Sequence, residues 1–309
     1  MHSIGVSSAG WYHHDSPLES IKYIQSCGFD AMDFDLNSFI NTAKMAKEGI
    51  SPNFFDQSIE EILASLQPLR DACRETGFFL SQIHAPYPIR FEGNDELNRY
   101  LLSVADKSFA IAEFLGCPAV VIHPNAASTK ALEWETNLAL YRDMIPLIKK
   151  YKGVKCCLEN LFTRLPGGRV IEGRLTCIDE ICSLHDQLNK EAGGDYFGIC
   201  FDVGHAILTG RDVKEYVKQL GNRLTILHIH DNNGITDLHI APYSCVANTK
   251  KHTICDWNGF VEGLRTIGYR GVLSFETDLI FAVYPPAVYT EVLKLISAIG
   301  RYWSEEIEK

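Results

Sequence analysis

Eight short apolar runs alternate with segments of helical periodicity along the 309 residues of the chain. The runs are rich in β-branched and aromatic residues, which favours strands. They are SIGVSS, DAMDFD, FFLSQIH, PAVVIH, VKCCLE, YFGICFD, LTILHIH and GVLSFE. Strands this uniformly apolar are buried on both faces, so the pattern predicts a parallel sheet covered by helices.

The segments that separate the runs predict eight helices, because apolar residues recur in them at helical spacing. Eight strand–helix units in about 300 residues predict one (β/α)₈ barrel, formed by residues 1–309 as a single domain. A doubly wound sheet is the alternative, but no glycine-rich turn after the first strand favours it. The predicted helices lie near residues 16–27, 58–76, 96–115, 132–151, 176–192, 212–220, 256–267 and 286–302.

Composition argues against several classes of protein. The 46% apolar and 22% charged fractions are those of a soluble globular protein, and no apolar run is long enough to span a bilayer. The N-terminal residues lack a secretion signal, and the ten cysteines form no CxxC pair, so we expect reduced thiols and a cytoplasmic location. A net charge of −10 argues against a nucleic-acid partner.

Six successive runs end in a residue that can bind a metal. A single polar residue at a strand end is ordinary, but six in a row, all His, Asp or Glu, are hard to assign to loop chemistry. In a barrel these side chains meet at one mouth, where burial and repulsion would cost several kcal/mol without a cation. The sequence therefore predicts a divalent metal ion bound among His84, His123, Glu159, Asp202, His228 and Glu276.

The donor types indicate which metal. Glu159, Asp202, His228 and Glu276 offer three carboxylates and one imidazole with no thiolate, which favours a single octahedral Mn²⁺, with Mg²⁺, Co²⁺ or Zn²⁺ as further options. His230 lies on the same face of its strand as His228. We prefer His228 as the ligand because the strand should end before the turn DNNG.

The strand-end segments LEN, FDVGHA, HIHD and FET, in this order, resemble the xylose-isomerase-like TIM-barrel superfamily. That group contains sugar and sugar-phosphate isomerases and epimerases, inosose and dehydroshikimate dehydratases, and endonuclease IV. The resemblance covers nearly the whole chain. It implies that Glu159, Asp202, His228 and Glu276 ligate one Mn²⁺ or related ion, and that His205 contacts a substrate oxygen.

The chain is also similar to the longer endonuclease IV pattern, in which nine residues hold three zinc ions. This second resemblance implies one ion at His84, His123 and Glu159, and another at Asp202, His228 and Glu276 with Glu159 as a bridge. A third would lie at His205, Asp237 and His239. A second or third metal at the His84/His123 and His205/Asp237/His239 groups is therefore an open alternative to substrate binding by the same side chains.

The first functional hypothesis is an isomerase or epimerase of a small sugar, sugar phosphate or polyol. The metal would polarise a carbonyl, while Glu159 and Glu276 remove and return a proton through an enediolate. Asp33 and Asp35 end the second strand on one face and would touch substrate or hold the site together. The residues expected to bind substrate are His84, His123, His205, Asp237, His239 and Trp11 in the aromatic first loop.

Two other activities on the same scaffold are weighed against the first. A dehydratase would share the first proton abstraction and then lose a hydroxyl group. A three-zinc phosphodiesterase acting on abasic DNA would explain the nine residues, but Arg164, Arg169 and Arg174 suit one phosphate better than a duplex. The presence of both Glu159 and Glu276 argues against a non-catalytic barrel. The resemblance is also compatible with a homodimer or homotetramer.

Overall fold

The computed structural model of the protein describes residues 1–247 and 252–309. Eight parallel strands form one sheet in the order β10-β1-β2-β3-β4-β5-β8-β9, and an antiparallel hairpin pairs β6 with β7. The strands are β1 (Ile4–Ser7), β2 (Ala31–Asp35), β3 (Phe79–His84), β4 (Ala119–Ile122), β5 (Lys155–Glu159), β6 (Phe162–Arg164), β7 (Val170–Glu172), β8 (Phe197–Asp202), β9 (Leu224–His228) and β10 (Leu273–Phe275).

The two ends of this sheet meet beside the last strand. Ile229 and Phe275 form an isolated parallel bridge, and the backbone N–H of Ile229 donates to the carbonyl of Ser274 at 2.9 Å. The N–H of Glu276 in turn donates to the carbonyl of Ile229 at 3.0 Å. These bonds join β9 to β10, so the predicted (β/α)₈ barrel is confirmed.

Helices surround the barrel and connect its strands. The longer ones bury one face against the sheet, as in α5, where Leu101, Val104 and Ala105 are buried. Among the described residues, no helix is both long and apolar enough to serve as a transmembrane span. The helices are α1 (Pro17–Ser26), α2 (Thr42–Glu48), α3 (Ile59–Ser65), α4 (Gln67–Thr76), α5 (Asp95–Leu115), α6 (Lys130–Ile148), α7 (Ile178–Ala192), α8 (Val203–Leu208), α9 (Val213–Leu220), α10 (Trp257–Thr266), α11 (Ile280–Val283) and α12 (Tyr289–Ile307).

The helix predicted near residues 58–76 is in fact two helices. Helix α3 ends at Ser65, and α4 begins at Gln67 with Pro68 in its first turn. A proline is tolerated there because the first N–H groups of a helix have no intrahelical acceptor, whereas it would interrupt a continuous helix. The short helices α2 and α8 and the β6–β7 hairpin were not predicted, since each lies inside a loop between barrel elements.

A packed apolar layer lies directly below the polar mouth of the barrel. Cys157, Cys200 and Ile226 form a buried cluster with Ala119 and Val121. Each of the first three precedes a predicted site residue by two positions, so it points to the same side of its strand. The barrel interior is therefore filled from below, and the polar side chains occupy its C-terminal end.

Candidate metal centre

Glu159, Asp202, His228 and Glu276, which we call the central position, converge on one imidazole nitrogen. Nδ1 of His228 lies 3.2 Å from Oε1 of Glu159 and 3.3 Å from Oε2 of Glu276. The same nitrogen lies 4.0 Å from Oδ2 of Asp202. The four side chains predicted from the strand ends thus bring their donor atoms together.

The distances from Nδ1 of His228 are those of neighbouring donors around one divalent ion. Among the described residues, however, the donor atoms that all lie within 4.8 Å of one another group Glu159 with Cys200 and His228, and Asp202 and Glu276 with His230. Around an ion with ligands at about 2.1 Å, neighbouring octahedral donors lie about 3 Å apart and opposite donors about 4.2 Å apart. Glu159 and Asp202 are 1% and 0% exposed, so their charges are withdrawn from solvent. Burial alone raises the pKa of Glu159, but the imidazoles of His123 and His228 hold it well below its usual range. The carboxylate is therefore ionised, as a metal ligand must be.

A second carboxylate orients the imidazole of His228. Nε2 of His228 lies 2.9 Å from Oδ2 of Asp33, which also accepts a hydrogen bond from the side-chain amide of Gln82 at 3.0 Å. An outer carboxylate of this kind fixes the tautomer and directs the other ring nitrogen to the metal. Asp33 therefore supports the central position from behind.

His84, His123 and Glu159, which we call the first flanking position, lie on one side of the centre. Nε2 of His123 is 2.8 Å from Oε2 of Glu159 and 2.9 Å from Nε2 of His84. Burial lowers the pKa of His123 to about 4, against the opposing effect of the glutamate. The ring is therefore neutral at pH 7, with a lone pair available to a cation or a substrate hydroxyl.

His205, Asp237 and His239, which we call the second flanking position, lie on the other side. Oδ2 of Asp237 is 3.4 Å from Nε2 of His205 and 3.3 Å from Nε2 of His239. Nδ1 of His205 lies 2.9 Å from the carbonyl of Asn160, which fixes the ring. Burial opposes protonation of His205, but Asp202 and Asp237 raise its pKa to about 9.

We expect the affinity of the second flanking position for Zn²⁺ to rise with pH. The raised pKa keeps a proton on His205 at pH 7, and this proton must leave before Nε2 binds an ion. Titration calorimetry in two buffers of different ionisation enthalpy should record proton release at pH 7 and less of it above about pH 9. An affinity that does not change between these pH values would contradict the expectation.

His230 also belongs to this group of side chains. Its Nε2 lies 3.2 Å from Oδ2 of Asp202, and its ring stacks on His239 with centroids 4.0 Å apart. Its donor atom lies within 4.8 Å of those of Asp202 and Glu276, and also of those of the second flanking position. The alternation of His228 and His230 along the strand signalled this placement, but the sequence did not show that both rings face the site.

Gly204 makes room for His230. A Cβ atom at this position would overlap the imidazole of His230, so only glycine fits between β8 and the ring. We expect Gly204→Ala to displace His230, to destabilise the fold by about 1–3 kcal/mol and to weaken metal binding. Urea unfolding and metal analysis measure the two effects. The control is Gly210→Ala, at an exposed position just after α8 whose φ of +69° also strains an alanine, so it should lose stability but keep its metal content.

The three positions open into a cleft of about 280 Å³ at the mouth of the barrel. Four of the predicted site residues line it, and the others lie deeper or to the side. Sequence reasoning did not identify Asn37, Tyr87 and Asp278, because each lies on a connecting loop beyond its strand. The lining residues are Ser7, Ala9, Asp33, Asp35, Asn37, His84, Tyr87, Asp237, Leu238, His239, Glu276, Asp278 and Leu279.

Trp11 is not in the cleft, contrary to the expectation that it contacts substrate. The side chain is 3% exposed, its indole N–H donates to the carbonyl of Ser7 at 2.6 Å, and its ring packs against Phe78. The apolar ring is buried in the core because its one polar atom is satisfied by the backbone. Trp11 therefore supports the first loop from below.

The arginines of the β6–β7 hairpin do not reach the cleft either. The guanidinium of Arg174 donates to the carbonyl of Phe162 at 2.7 Å, and that of Arg164 donates to the carbonyl of Gly168 at 3.1 Å. Both therefore stabilise the hairpin on which they lie.

Comparison with known proteins identifies relatives of the chain and structures with the same fold. Two curated relatives match, both uncharacterized proteins. One, from Sinorhizobium fredii, is 25% identical over 170 residues, 55% of this chain and 50% of that protein. The other, from Methanocaldococcus jannaschii, is 25% identical over 227 residues, 70% of each chain. The chain thus matches about half the length of the first relative.

Solved structures share the fold over nearly the whole chain. The 3-keto-D-glucoside 4-epimerase of E. coli has a TM-score of 0.68 at 15% identity, covering 96% of this chain and 100% of that one. An L-ribulose 3-epimerase has a TM-score of 0.68 at 16% identity, covering 100% and 96%. A family 2 AP endonuclease from Brucella melitensis has a TM-score of 0.60 at 14% identity, covering 90% and 93%. At these identities the likeness shows the fold.

The family described as xylose isomerase-like TIM barrel matches residues 21–298, which include every strand-end residue of the centre. The protein belongs to the xylose isomerase-like TIM barrel family.

Proposed function

We propose that the protein is a divalent-metal-dependent isomerase or epimerase of a small sugar, sugar phosphate or polyol. The observation that carries this proposal is the position of Glu159 and Glu276, whose carboxylates lie 3.2 and 3.3 Å from the same nitrogen of His228. Two carboxylates beside one metal position, at the base of a polar cleft, are the groups that proton transfer at a sugar carbon requires. Sugar epimerases with the same fold support the substrate class.

Glu159, Asp202, His228 and Glu276 would hold one ion, with Mn²⁺ preferred and Mg²⁺, Co²⁺ or Zn²⁺ as alternatives. A bound ion would supply Lewis acidity, polarising the substrate carbonyl and making the adjacent C–H more acidic. Oxygen-rich donors with a single imidazole are the basis for preferring Mn²⁺. The two flanking positions are candidates for a second or third ion.

Glu159 and Glu276 would then carry out the two proton transfers. The pKa of Glu159 is lowered, whereas burial raises the pKa of Glu276, so the two carboxyl groups suit opposite roles. Glu159 accepts the proton from carbon, and Glu276, which lines the cleft, returns one. Return to the opposite face of the same carbon epimerises the sugar, and return to the neighbouring carbon isomerises it.

The histidines around the centre would position the substrate oxygens. His84 and His239 line the cleft together with Asp237. His123 and His205 lie behind them, against Glu159 and Asp237. We propose that these side chains hold hydroxyl groups wherever a flanking position carries no ion.

A phosphodiesterase is the second candidate function, and one observation favours it. All nine residues of the endonuclease IV pattern meet at the barrel mouth, in groups whose donor atoms lie within 4.8 Å for both flanking positions. Against it, no lysine or arginine of the described chain lines the cleft. A duplex backbone needs such cations. A dehydratase shares the first proton abstraction and differs only in the subsequent loss of a hydroxyl group.

The experiment is a substrate screen with the purified protein. Ketoses, aldoses and inososes are incubated with Mn²⁺, Co²⁺ or Mg²⁺, and products of isomerisation, epimerisation and dehydration are separated. We expect conversion of at least one sugar and its loss after chelation of the metal. Cleavage of an abasic oligonucleotide without conversion of any sugar would instead support the second candidate.

We also propose that residues 1–309 form one domain and that the protein works in the cytoplasm. The family match runs from residue 21 to residue 298. All ten cysteines lie in the described part of the chain as free thiols, which suits a reducing compartment. A homodimer or homotetramer stays a prediction.

A further inference from the structure

Two carboxylates in the cleft take no part in the central or flanking positions. Asp35 ends β2, and one of its oxygens accepts the backbone N–H of Asn37 at 2.8 Å. No hydrogen bond to its other oxygen comes from the residues that the structure describes. Asp278 is half exposed at the rim, with its Oδ1 atom 3.4 Å from Nδ1 of His239. Both therefore offer acceptor oxygens to whatever occupies the cleft.

Asp33 supplies an independent sign of a ligand. Its side chain is 3% exposed and lines the cleft, and its Oδ1 atom has no hydrogen-bond partner within the described part of the chain. Oδ2 is already used by His228 and Gln82. A buried carboxylate oxygen is rarely left without a donor, so Oδ1 is a place for a ligand hydroxyl group.

The donors beside these carboxylates are neutral. The carbonyl oxygen of the Asn37 side chain accepts the backbone N–H of Tyr87 at 3.1 Å, which leaves its amide N–H groups to donate to a ligand. Burial and neighbouring carboxylates raise the pKa of Tyr87 to about 12, so its hydroxyl group keeps its proton. The outer cleft thus combines several acceptors with amide and hydroxyl donors, which matches the hydrogen bonding of sugar hydroxyl groups.

The carboxylates that line the cleft disfavour an anionic ligand. Its lining contains Asp33, Asp35, Asp237, Glu276 and Asp278, and none of the described lining residues is lysine or arginine. An adjoining depression shares Asp35, Asn37 and Tyr87 and contains Lys44, but that ammonium lies 3.7 Å from Glu48. The imidazole of His239 also lines the cleft, but its two nitrogens lie 3.3 Å from Asp237 and 3.4 Å from Asp278. A phosphate or carboxylate group at this end of the substrate would therefore meet carboxylates, with no lysine or arginine among the described lining residues.

We propose that the outer cleft is an uncharged-sugar subsite, in which Asp33, Asp35 and Asp278 accept hydroxyl groups of a substrate that carries neither phosphate nor carboxylate. Asn37 and Tyr87 donate to the oxygens of the same substrate. This assignment rests on the proposed function, because it names the substrate class of that site. It selects free sugars and polyols from the broader set that includes sugar phosphates.

Calorimetric binding of D-fructose and D-fructose 6-phosphate to the Mn²⁺-loaded protein tests the subsite. We expect D-fructose to bind at least about ten times more tightly than its phosphate ester, because the ester places a dianion among the carboxylates. Asp278→Lys should reduce this preference by about ten-fold or reverse it, since it puts a cation at the rim. Asp71→Lys, the same charge change on the outer surface of α4, should leave the preference unchanged.

Tighter binding of the phosphate ester by the natural protein would overturn the assignment, and so would failure to bind either sugar. An unchanged preference in a folded, metal-loaded Asp278→Lys variant would overturn it as well. Asp35→Ala should weaken D-fructose binding about ten-fold with metal content unchanged, and full affinity in that variant would remove Asp35 from the subsite. If D-fructose binds as expected but no sugar is converted, the proposed reaction fails while the subsite stands.

Discussion

Replacing Glu276 with glutamine will lower the turnover of an accepted sugar by about 10²–10⁴-fold, the usual contribution of one proton-transferring group. The amide keeps the shape of the side chain but neither releases nor accepts a proton in the required range. Glu276 lines the cleft and lies 3.3 Å from Nδ1 of His228, so it is placed between substrate and metal position. Steady-state kinetics with saturating Mn²⁺ measure the loss.

Glu262→Gln is the matched control for this substitution. Glu262 lies on α10 and pairs with Lys214 at 2.8 Å on the outside of the barrel, so the same chemical change there should leave turnover unaltered. Unfolding by urea should give similar midpoints for both variants and the natural protein. Full activity in a folded Glu276→Gln variant would exclude this side chain from the chemistry.

Replacing Glu159 with alanine should abolish both metal binding and activity, and it should destabilise the metal-free protein by about 3 kcal/mol. Glu159 is 1% exposed and its two oxygens lie 3.2 Å from His228 and 2.8 Å from His123. One carboxylate thus joins the central and the first flanking positions. Its removal takes away the close partner of His123 and one of the three carboxylates nearest to the imidazole of His228, so that Asp33 and Glu276 remain as its counter-charges.

The measurements are metal content by mass spectrometry and the free energy of unfolding in urea. Glu133→Ala serves as control, because Glu133 is also buried but lies on α6, where it accepts the backbone N–H of Arg174 at 2.7 Å. The control should lose stability and keep its metal. A Glu159→Ala variant that binds as much Mn²⁺ as the natural protein would show that the central position is elsewhere.

The barrel and the position of the six strand-end residues could be predicted because both depend on local pattern. An apolar strand ends where its chain leaves the core, so His84 and Glu159 could be placed at the mouth before their neighbours were known. Parallel pairing then brings such ends together, as Asp202 and His228 are paired between β8 and β9. Periodicity and connectivity carry this information without any knowledge of side-chain contacts.

The rest depends on contacts between distant parts of the chain. The role of Asp33 could not be predicted without the ring orientation of His228, a residue that is 195 positions away. The burial of Trp11 could not be predicted, because its ring packs against Phe78, which is distant in the sequence. His230 was placed on the same face as His228, but His228 was preferred as the ligand because the strand was expected to end before the turn DNNG. Each of these features is set by tertiary packing.

Solvent deuterium exchange tests the central claim most directly. The Mn²⁺-loaded protein is incubated in D₂O with a ketose that it converts, and the position of deuterium in recovered substrate and product is determined by NMR. We predict one deuterium at the carbon next to the carbonyl in the product, and no deuterated product with the Glu276→Gln variant, in which Glu159 can exchange a proton only with the recovered substrate. Conversion without any deuterium at that carbon would contradict proton transfer by Glu159 and Glu276.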